Sequence, residues 1–308
     1  MDQMSLTPNS NSPNFDVEDI PPQPVLYTSH GLHTSSPKKT ISPSGRLTVE
    51  YPSLLKTLQW TRRYSSYIFS GFVGLHALNT CIIPLATLVS GGDAALSKID
   101  NGFLVTRYLY RPSQTVETIL VWVPLGLHVL TGIAIRVYRI FIARDLYGEG
   151  TIARYRRQAV HYRSKGFSWP YLRALPSLGL SDIAAAGYTT LFLVSLHAYS
   201  TRILPILYGD GGDTSISIVS HALQKHPLLT YPLYAFLIGT SAFHIVGGWG
   251  KWMRWTLTAK RRRIRNNIVT GTMGIWMVSL ARIGRLEVFS AVVKAEYDRL
   301  YRHIWAGF

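Results

Sequence analysis

Four long apolar segments of this chain each carry one histidine near their midpoint. These residues are His76, His128, His197 and His244. An ionisable ring at membrane depth is costly, and such residues usually serve a function. A neutral imidazole is a good axial ligand for haem iron, and facing helices of a bundle commonly hold such a cofactor. We therefore predict a haem b site built from two of these histidines. The other two could bind a second haem or support the first through hydrogen bonds.

Other interpretations of the histidines stay open in the sequence. A buried histidine in a membrane bundle often only hydrogen-bonds to a neighbouring helix. Zinc is disfavoured, because no carboxylate or thiolate lies at the same depth to complete the usual mixed ligand set. Gly132 and Gly248, each one turn after a histidine, would let a flat macrocycle approach the backbone. Three basic side chains nearer the membrane faces could pair with haem propionates: Arg136, Arg202 and Lys251.

The histidines occur in two copies of one sequence pattern. GLHALNTCIIPL and SLHAYSTRILPIL both contain His-x3-Thr-x3-Pro, and the other two segments both have a glycine four residues after the histidine. The pattern predicts a duplicated two-helix unit, in which His76 is equivalent to His197 and His128 to His244. Counted from the expected helix starts, the four rings lie nine to fourteen residues into their helices. This count predicts one common depth near the centre of a ~30 Å hydrocarbon core.

Hydrophobicity predicts an all-α integral membrane protein. Four segments are each close to or above the roughly 20 apolar residues that a helix needs to cross a bilayer; they are residues 66–88, 116–142, 183–207 and 228–246. A fifth segment, residues 268–281, is apolar but is followed by charged residues. We expect it to cross, with those charges facing protein or reaching towards headgroups. The predicted fold has five transmembrane helices, and the first four form a four-helix bundle from the duplicated unit.

The net charge of +16 is distributed in a way that predicts orientation. Residues 144–173 contain seven Lys or Arg against two acids, and residues 251–265 contain seven against none, whereas the connections 89–115 and 209–226 are nearly neutral. By the positive-inside rule the N-terminus and the basic connections share the cytosolic face, and five spans place the C-terminus on the opposite face. Attraction to anionic headgroups explains the bases and aromatics of 144–173 beside a membrane, so no nucleic-acid partner is predicted.

Residues 1–52 are predicted to form a disordered tail before a transmembrane domain at 53–308. The tail is rich in Ser, Pro, Asn and Thr, and it cannot bury enough apolar surface to offset the entropy of ordering. The first span begins too late for a secretory signal peptide, and residues 1–37 lack the bases of a matrix presequence. The sequence contains no nucleophile elbow, P-loop or HExxH zinc motif, so we predict no enzyme active site.

The four histidine-centred blocks resemble those of the fungal MCP family of five-span mitochondrial outer-membrane proteins. The resemblance covers roughly residues 60 to 290. That family is similar to the haem-binding membrane anchors of succinate dehydrogenase and fumarate reductase. The resemblance implies a role in mitochondrial lipid homeostasis, exerted by recruiting a chorein-type bridge lipid-transfer protein to mitochondria.

Recruitment in that family uses a short Pro-x-Pro motif, preceded by spaced aliphatic residues, in the cytosolic tail. This chain offers VEDIPPQPV, in which Val17, Ile20, Pro22 and Pro24 fit the spacing aliphatic-x-x-aliphatic-x-Pro-x-Pro. An extended segment with two prolines has little entropy left to lose, and it could add along a sheet edge or dock in a groove. The resemblance therefore implies a partner-binding role for these four residues.

Three functions follow as hypotheses. The first is a non-enzymatic adaptor of the mitochondrial outer membrane, which contacts membrane lipids, recruits the lipid-transfer protein through its tail and carries haem b in its bundle. The second is a membrane redox protein that uses haem b for electron transfer. The third is a lipid scramblase or transporter, which is disfavoured because the sequence shows no clear hydrophilic groove and its repeat is parallel rather than inverted.

Overall fold

The computed structural model describes residues 39–41, 47–49, 53–89, 92–147, 181–209, 215–253, 259–286 and 290–304. Helix α1 comprises the consecutive segments Ser53–Ala77, Leu78–Ile82 and Ile83–Ala86, and α2 is Gly92–Tyr110. Helix α3 comprises Gln114–Glu117, Thr118–Trp122 and Val123–Tyr147. Helix α4 comprises Asp182–Ala198, Tyr199–Ile203 and Leu204–Tyr208. The remaining described helices are α5 Ser217–Lys225, α6 Pro227–Trp252, α7 Ala259–Ile283 and α8 Ala291–Arg302.

Four of these helices are long and apolar enough to cross a membrane, as predicted. They are α1, α3, α4 and α6, with 34, 25, 27 and 26 residues in their apolar spans. Helix α1 packs along α3, and α4 packs along α6. Because α1 and α4 run in one direction and α3 and α6 in the other, the two helix pairs have the parallel relation that the sequence repeat predicts.

Each of α1, α3 and α4 contains one π-helical turn just before a proline. The turns are Leu78–Ile82, Thr118–Trp122 and Tyr199–Ile203, and the prolines are Pro84, Pro124 and Pro205. Proline has no N–H and its ring crowds the carbonyl four residues earlier, so the helix widens locally to relieve the clash. The turns in α1 and α4 follow their histidines at the same spacing, so the duplication extends to this backbone irregularity.

Helix α7 runs beside α6 over most of its length and ends beside the last turns of α1. Near its start, the Arg265 guanidinium lies 4.6 Å from the centre of the Phe243 ring. Near its end, Ser279 Oγ donates to the Thr80 carbonyl at 2.7 Å, which is the carbonyl that Pro84 leaves without a helical partner. Arg282 Nη2 then donates to the Thr87 carbonyl at 3.0 Å. Helix α7 thus follows the height of the bundle, although its composition does not place it among the four candidate spans.

One end of the bundle is covered by short helices, and we call it the capped end. Helix α2 folds back along the last turns of α1: Thr106 hydrogen-bonds to Asn79, and the Tyr110 and Phe72 rings meet at 5.1 Å. Helices α5 and α8 cover the neighbouring part, where Ile99, Leu223, Ile238 and Leu280 share one buried cluster. We call the opposite end, where α1, α4 and α7 begin, the basic end.

Within the predicted tail, the described residues form a small antiparallel hairpin. Its strands are β1 Lys39–Ile41 and β2 Leu47–Val49, with Lys39 opposite Val49. Three other predictions concern residues outside the described part of the chain. They are the disorder of the rest of 1–52, the binding motif of Val17, Ile20, Pro22 and Pro24, and the position of most of the basic segment 144–173.

Candidate cofactor site

The four predicted histidines come together as two pairs, and each pair joins equivalent positions of the repeat. The ring centres of His76 and His197 are 6.0 Å apart, and those of His128 and His244 are also 6.0 Å apart. His76 and His197 therefore meet between α1 and α4, and His128 and His244 meet between α3 and α6. Because each pair joins equivalent residues, the two repeats are related by a pseudo-twofold axis that passes between the paired rings.

The rings of each pair meet edge to face, at interplanar angles of 65° and 81°, and their separation is compatible with two imidazoles that bind one metal ion. A metal–nitrogen bond is about 2 Å, so two imidazoles that held one metal ion between them would have ring centres about 6 Å apart. Among the described residues, no group of three or more His, Cys, Asp or Glu side chains is placed to hold a metal ion. The described bundle therefore presents pairs of imidazoles, which is the donor set of a haem b whose porphyrin supplies the other four nitrogens.

The pair nearer the basic end is oriented by two equivalent backbone carbonyls. His128 Nδ1 lies 3.3 Å from the Arg62 carbonyl, and His244 Nδ1 lies 2.9 Å from the Ile183 carbonyl. Arg62 and Ile183 each precede the histidine of their own helix by fourteen residues. When Nδ1–H donates to a carbonyl, Nε2 carries the lone pair, which is the arrangement of most metal-binding histidines. The structure thus favours the same ligating tautomer at both residues.

The pair nearer the capped end is held by side chains instead. Tyr234 Oη lies 3.4 Å from His197 Nδ1, and the Tyr234 ring makes an edge contact with the His197 ring. On the other side, Phe72 stacks on His76 with ring centres 5.7 Å apart. Thr80 and Thr201, which follow these histidines by one turn, donate to the His76 and His197 carbonyls at 2.8 and 2.7 Å. The threonines therefore brace the helix backbone rather than the rings.

The two pairs lie at different depths, so the prediction of one common depth is wrong. His128 is level with Arg62, which precedes His76 by fourteen residues, or roughly 21 Å of helix. His197 is level with Tyr234, which precedes His244 by ten residues, or roughly 15 Å. The expected helix starts caused the error. Because α2 folds back along α1, helix α3 begins at the level of Phe72 rather than at the far end of α1.

The space beside these rings fits the proposed cofactor in part. A Cβ added at Gly126 or Gly248 would meet no atom within 4 Å, and one added at Gly132 would meet only the Arg62 side chain at 4.0 Å. Gly132 and Gly248 are the positions where the sequence predicts the approach of a macrocycle to the backbone, and that approach stays a prediction. Gly187 differs, because an added Cβ there would lie 2.6 Å from His244 Cε1. The His244 ring therefore packs directly on the α4 backbone.

Sequence reasoning missed a buried ion cluster next to the capped-end pair. Arg202 donates to Glu117 through Nε at 2.9 Å and Nη2 at 2.7 Å, and Arg111 Nε lies 3.2 Å from the same carboxylate. The Glu117 side chain is only 8% exposed. An acid at the start of an apolar segment is visible in the sequence, but its partner is 85 residues away. Arg202 is one of the three bases predicted to pair with haem propionates, and in the structure it pairs with a protein carboxylate instead.

Comparison with known protein families finds a match over part of the chain. Residues 192–291, from the middle of α4 to the start of α8, match the family model described as MDM10-complementing protein 1, transmembrane domain. Neither curated protein sequences nor solved structures yield a match to the chain. The matched region contains His197 and His244 together with α5, α6 and α7.

Proposed function

We propose that this chain acts in lipid homeostasis at the mitochondrial outer membrane and binds haem b in its helical bundle. The match of residues 192–291 to the transmembrane domain of MDM10-complementing protein 1 supports the mitochondrial role, and the four helices long and apolar enough to cross a membrane support a multi-pass protein. The observation that carries the haem proposal is the meeting of repeat-equivalent histidines, twice, at a ring separation of 6.0 Å. His128 and His244 would hold one haem, and His76 and His197 a second. Bound haem would supply an iron ion that can gain or lose one electron.

The test is the visible spectrum of the full chain, purified in detergent, in oxidised and reduced forms. We expect a Soret band and about two haems per chain. His128→Ala with His244→Ala should remove one of them, and His76→Ala with His197→Ala the other. The matched control is His303→Ala, an exposed histidine of the C-terminal segment. A haem content that none of the four histidine substitutions lowers would refute ligation by these residues.

The proposal also assigns the recruitment of a chorein-type bridge lipid-transfer protein to the N-terminal tail. The support is the spacing of Val17, Ile20, Pro22 and Pro24, which fits the motif of the resembling family. We expect Pro22→Ala with Pro24→Ala to abolish the arrival of that partner at mitochondria, measured by fluorescence microscopy of the tagged partner. Pro8→Ala with Pro13→Ala changes two other prolines of the same tail and should leave recruitment intact. Unchanged recruitment in the first variant would refute the tail assignment.

The proposed orientation puts the N-terminus in the cytosol and the C-terminus in the intermembrane space. It is supported by the basic segments 144–173 and 251–265 and by the course of α7, which takes the chain from the basic end to the capped end. In intact mitochondria, added protease should remove an N-terminal epitope and spare a C-terminal one until the outer membrane is opened. Loss of both epitopes together would contradict five crossings.

A second candidate function, electron transfer by a haem b membrane protein, is favoured by the difference in depth between the pairs. Carriers stacked at two levels suit movement of electrons along the bundle, whereas a purely structural cofactor needs only one level. Under this alternative, removal of either histidine pair should stop the reduction of an acceptor enclosed on one side of a vesicle by a donor on the other. Under the adaptor proposal, the same variants still recruit the lipid-transfer protein.

A further inference from the structure

A cavity opens at the capped end, where α2 meets the start of α3 and the last turns of α4. Its volume is ≈ 360 Å³, which lies within the range of about 300–1,000 Å³ typical of small-molecule sites. The side chains that line it include Arg107, Arg111, Ser113, Gln114, Arg202 and Ile206. Three of these are arginines: Arg107 and Arg111 come from the end of α2 and the turn after it, and Arg202 comes from α4, so folding has brought them around one space.

Glu117 orients two of the three arginines around this cavity. Glu117 lies behind the wall and holds Arg202 with both oxygens and Arg111 with one. A guanidinium has five N–H donors in a rigid fork, more than a shared carboxylate can accept. Glu117 therefore fixes two of the arginines in place, and guanidinium N–H donors that converge on one space suit an anion.

The surroundings of the cavity are apolar and outward-facing. Tyr108 and Leu109 of α2 are 71% and 59% exposed, and Ile206 and Leu207 of α4 are 44% and 60% exposed. In a membrane protein, exposed apolar surface of this kind marks a site of membrane contact. A ligand of this cavity would therefore meet cations at one end and hydrocarbon-facing surface at the other, which is the polarity of an amphiphile.

We propose that this cavity binds the phosphate group of an anionic phospholipid, with the acyl chains lying against Leu109, Ile206 and Leu207. Arg107 and Arg111 contact the phosphate from α2 and the turn after it, and Arg202 contacts it from α4. Arginine forms two parallel hydrogen bonds to a phosphate, which is why several converging guanidiniums favour phosphate over a neutral headgroup. The proposal concerns lipid binding and does not depend on whether the histidine pairs hold haem.

The experiment titrates dioctanoyl phosphatidic acid into the full chain in detergent and counts bound lipid by native mass spectrometry. Dioctanoyl phosphatidylcholine and inorganic phosphate are the comparison probes. Arg107→Gln removes one cavity arginine and keeps Arg111 and Arg202, which hold Glu117 in the contacts described above, so the ion cluster should survive. We expect this variant to weaken phosphatidic acid binding at least tenfold, as the loss of a charge-assisted hydrogen bond does. Arg302→Gln, an exposed arginine of α8, is the control and should bind like the unmodified chain.

The outcomes separate the possible occupants. The proposal is supported if the unmodified chain prefers phosphatidic acid over both other probes. Arg107→Gln should lose that preference, and Arg302→Gln should keep it. Inorganic phosphate binding as tightly as phosphatidic acid would overturn it in favour of a soluble anion. An Arg107→Gln variant that changes the haem spectrum but not lipid binding would also overturn it, because the cavity would then hold a haem propionate. A photoactivatable phosphatidic acid should crosslink to the segment 107–114 or to 202–207 if the acyl chains lie as proposed.

Discussion

The two ends of the bundle carry equivalent pairs of histidines that are held in different ways. At the basic end, His128 and His244 each contact a backbone carbonyl, and the two carbonyls belong to unlike residues, Arg62 and Ile183. At the capped end, His197 contacts the Tyr234 hydroxyl, and the position in the first repeat equivalent to Tyr234 is Thr118. Backbone contacts tolerate a change of side chain, so the two halves share them. Side-chain contacts do not, so the halves differ there.

The same contrast applies beyond the histidines. The capped end also holds the Glu117 ion cluster, the cationic cavity and the docking of α8 on α5, and each depends on specific side chains. Substitutions at the capped end should therefore change one end of the molecule selectively. Substitutions at the basic end should act through the packing of backbone against the rings.

The largest selective effect is expected from Arg202→Met. This change removes one of the two arginines described above in contact with the buried Glu117 carboxylate and leaves the other, Arg111, in place. Breaking a buried ion pair from one side costs about 3–5 kcal/mol, and the lower part of that range is expected here because Arg111 remains. The measurement is the thermal unfolding midpoint of the detergent-solubilised chain.

Two further variants make this prediction specific. Arg63→Met removes an exposed arginine of α1 and should shift the midpoint little. Adding Glu117→Gln to Arg202→Met removes the uncompensated charge and should restore part of the loss. A double variant less stable than Arg202→Met alone would contradict the ion-pair explanation.

The overall bundle follows from local sequence patterns, whereas the differences between its ends do not. Hydrophobic length predicts the four spans, and the copy of His-x3-Thr-x3-Pro predicts which histidines are equivalent. The depth of each pair could not be predicted, because it depends on α2 folding back along α1 and moving the start of α3. The contact between Glu117 and Arg202 joins residues 85 positions apart, and the carbonyls of Arg62 and Ile183 carry no side-chain signal at all.

An intermediate effect, confined to the other end, is expected from Gly187→Ala. The new Cβ would lie 2.6 Å from His244 Cε1, so either the ring or the α4 backbone must move. Overpacking of this kind costs about 1–3 kcal/mol. We expect the haem of the basic-end pair to be lost or spectrally altered while that of the capped-end pair persists. Gly271→Ala, in open space on α7, is the matched control, and equal effects of both substitutions would show that crowding at His244 is not the cause.

A smaller effect at the capped end is expected from Tyr234→Phe. The substitution removes the hydroxyl that lies 3.4 Å from His197 Nδ1 and keeps the ring. Hydrogen bonds between membrane helices contribute about 0.6 kcal/mol on average, so stability should fall little. The reduction potential of one haem should shift, because the partner of Nδ1 tunes an axial imidazole. Tyr188→Phe, an exposed tyrosine of α4, should shift neither haem. A shift of the basic-end haem alone would reverse the assignment of the pairs.

The smallest effect is a pH dependence that only the capped end should show. Asp298 of α8 contacts Lys225 Nζ at 2.6 Å and His221 Nε2 at 2.7 Å on α5. Burial works to raise the pKa of Asp298, but hydrogen bonds from Lys225 and His221 outweigh it and hold that pKa below its ordinary value. A carboxyl whose pKa is depressed on folding stabilises the folded state above its unfolded pKa of about 3.9, and that contribution disappears as the pH falls through the folded pKa.

Helix α8 should therefore loosen from α5 in acid, before the bundle unfolds. A fluorophore attached at Lys294→Cys, on the exposed face of α8, should lose anisotropy as the pH is lowered below about 4. Asp298→Asn should give a lower anisotropy at neutral pH and remove most of the acid response, because the residue that titrates is gone. The haem spectrum of the basic-end pair should stay constant over the same pH interval. If both ends respond together, the acid transition is global unfolding rather than release of α8, and the contrast between the ends does not extend to their stability.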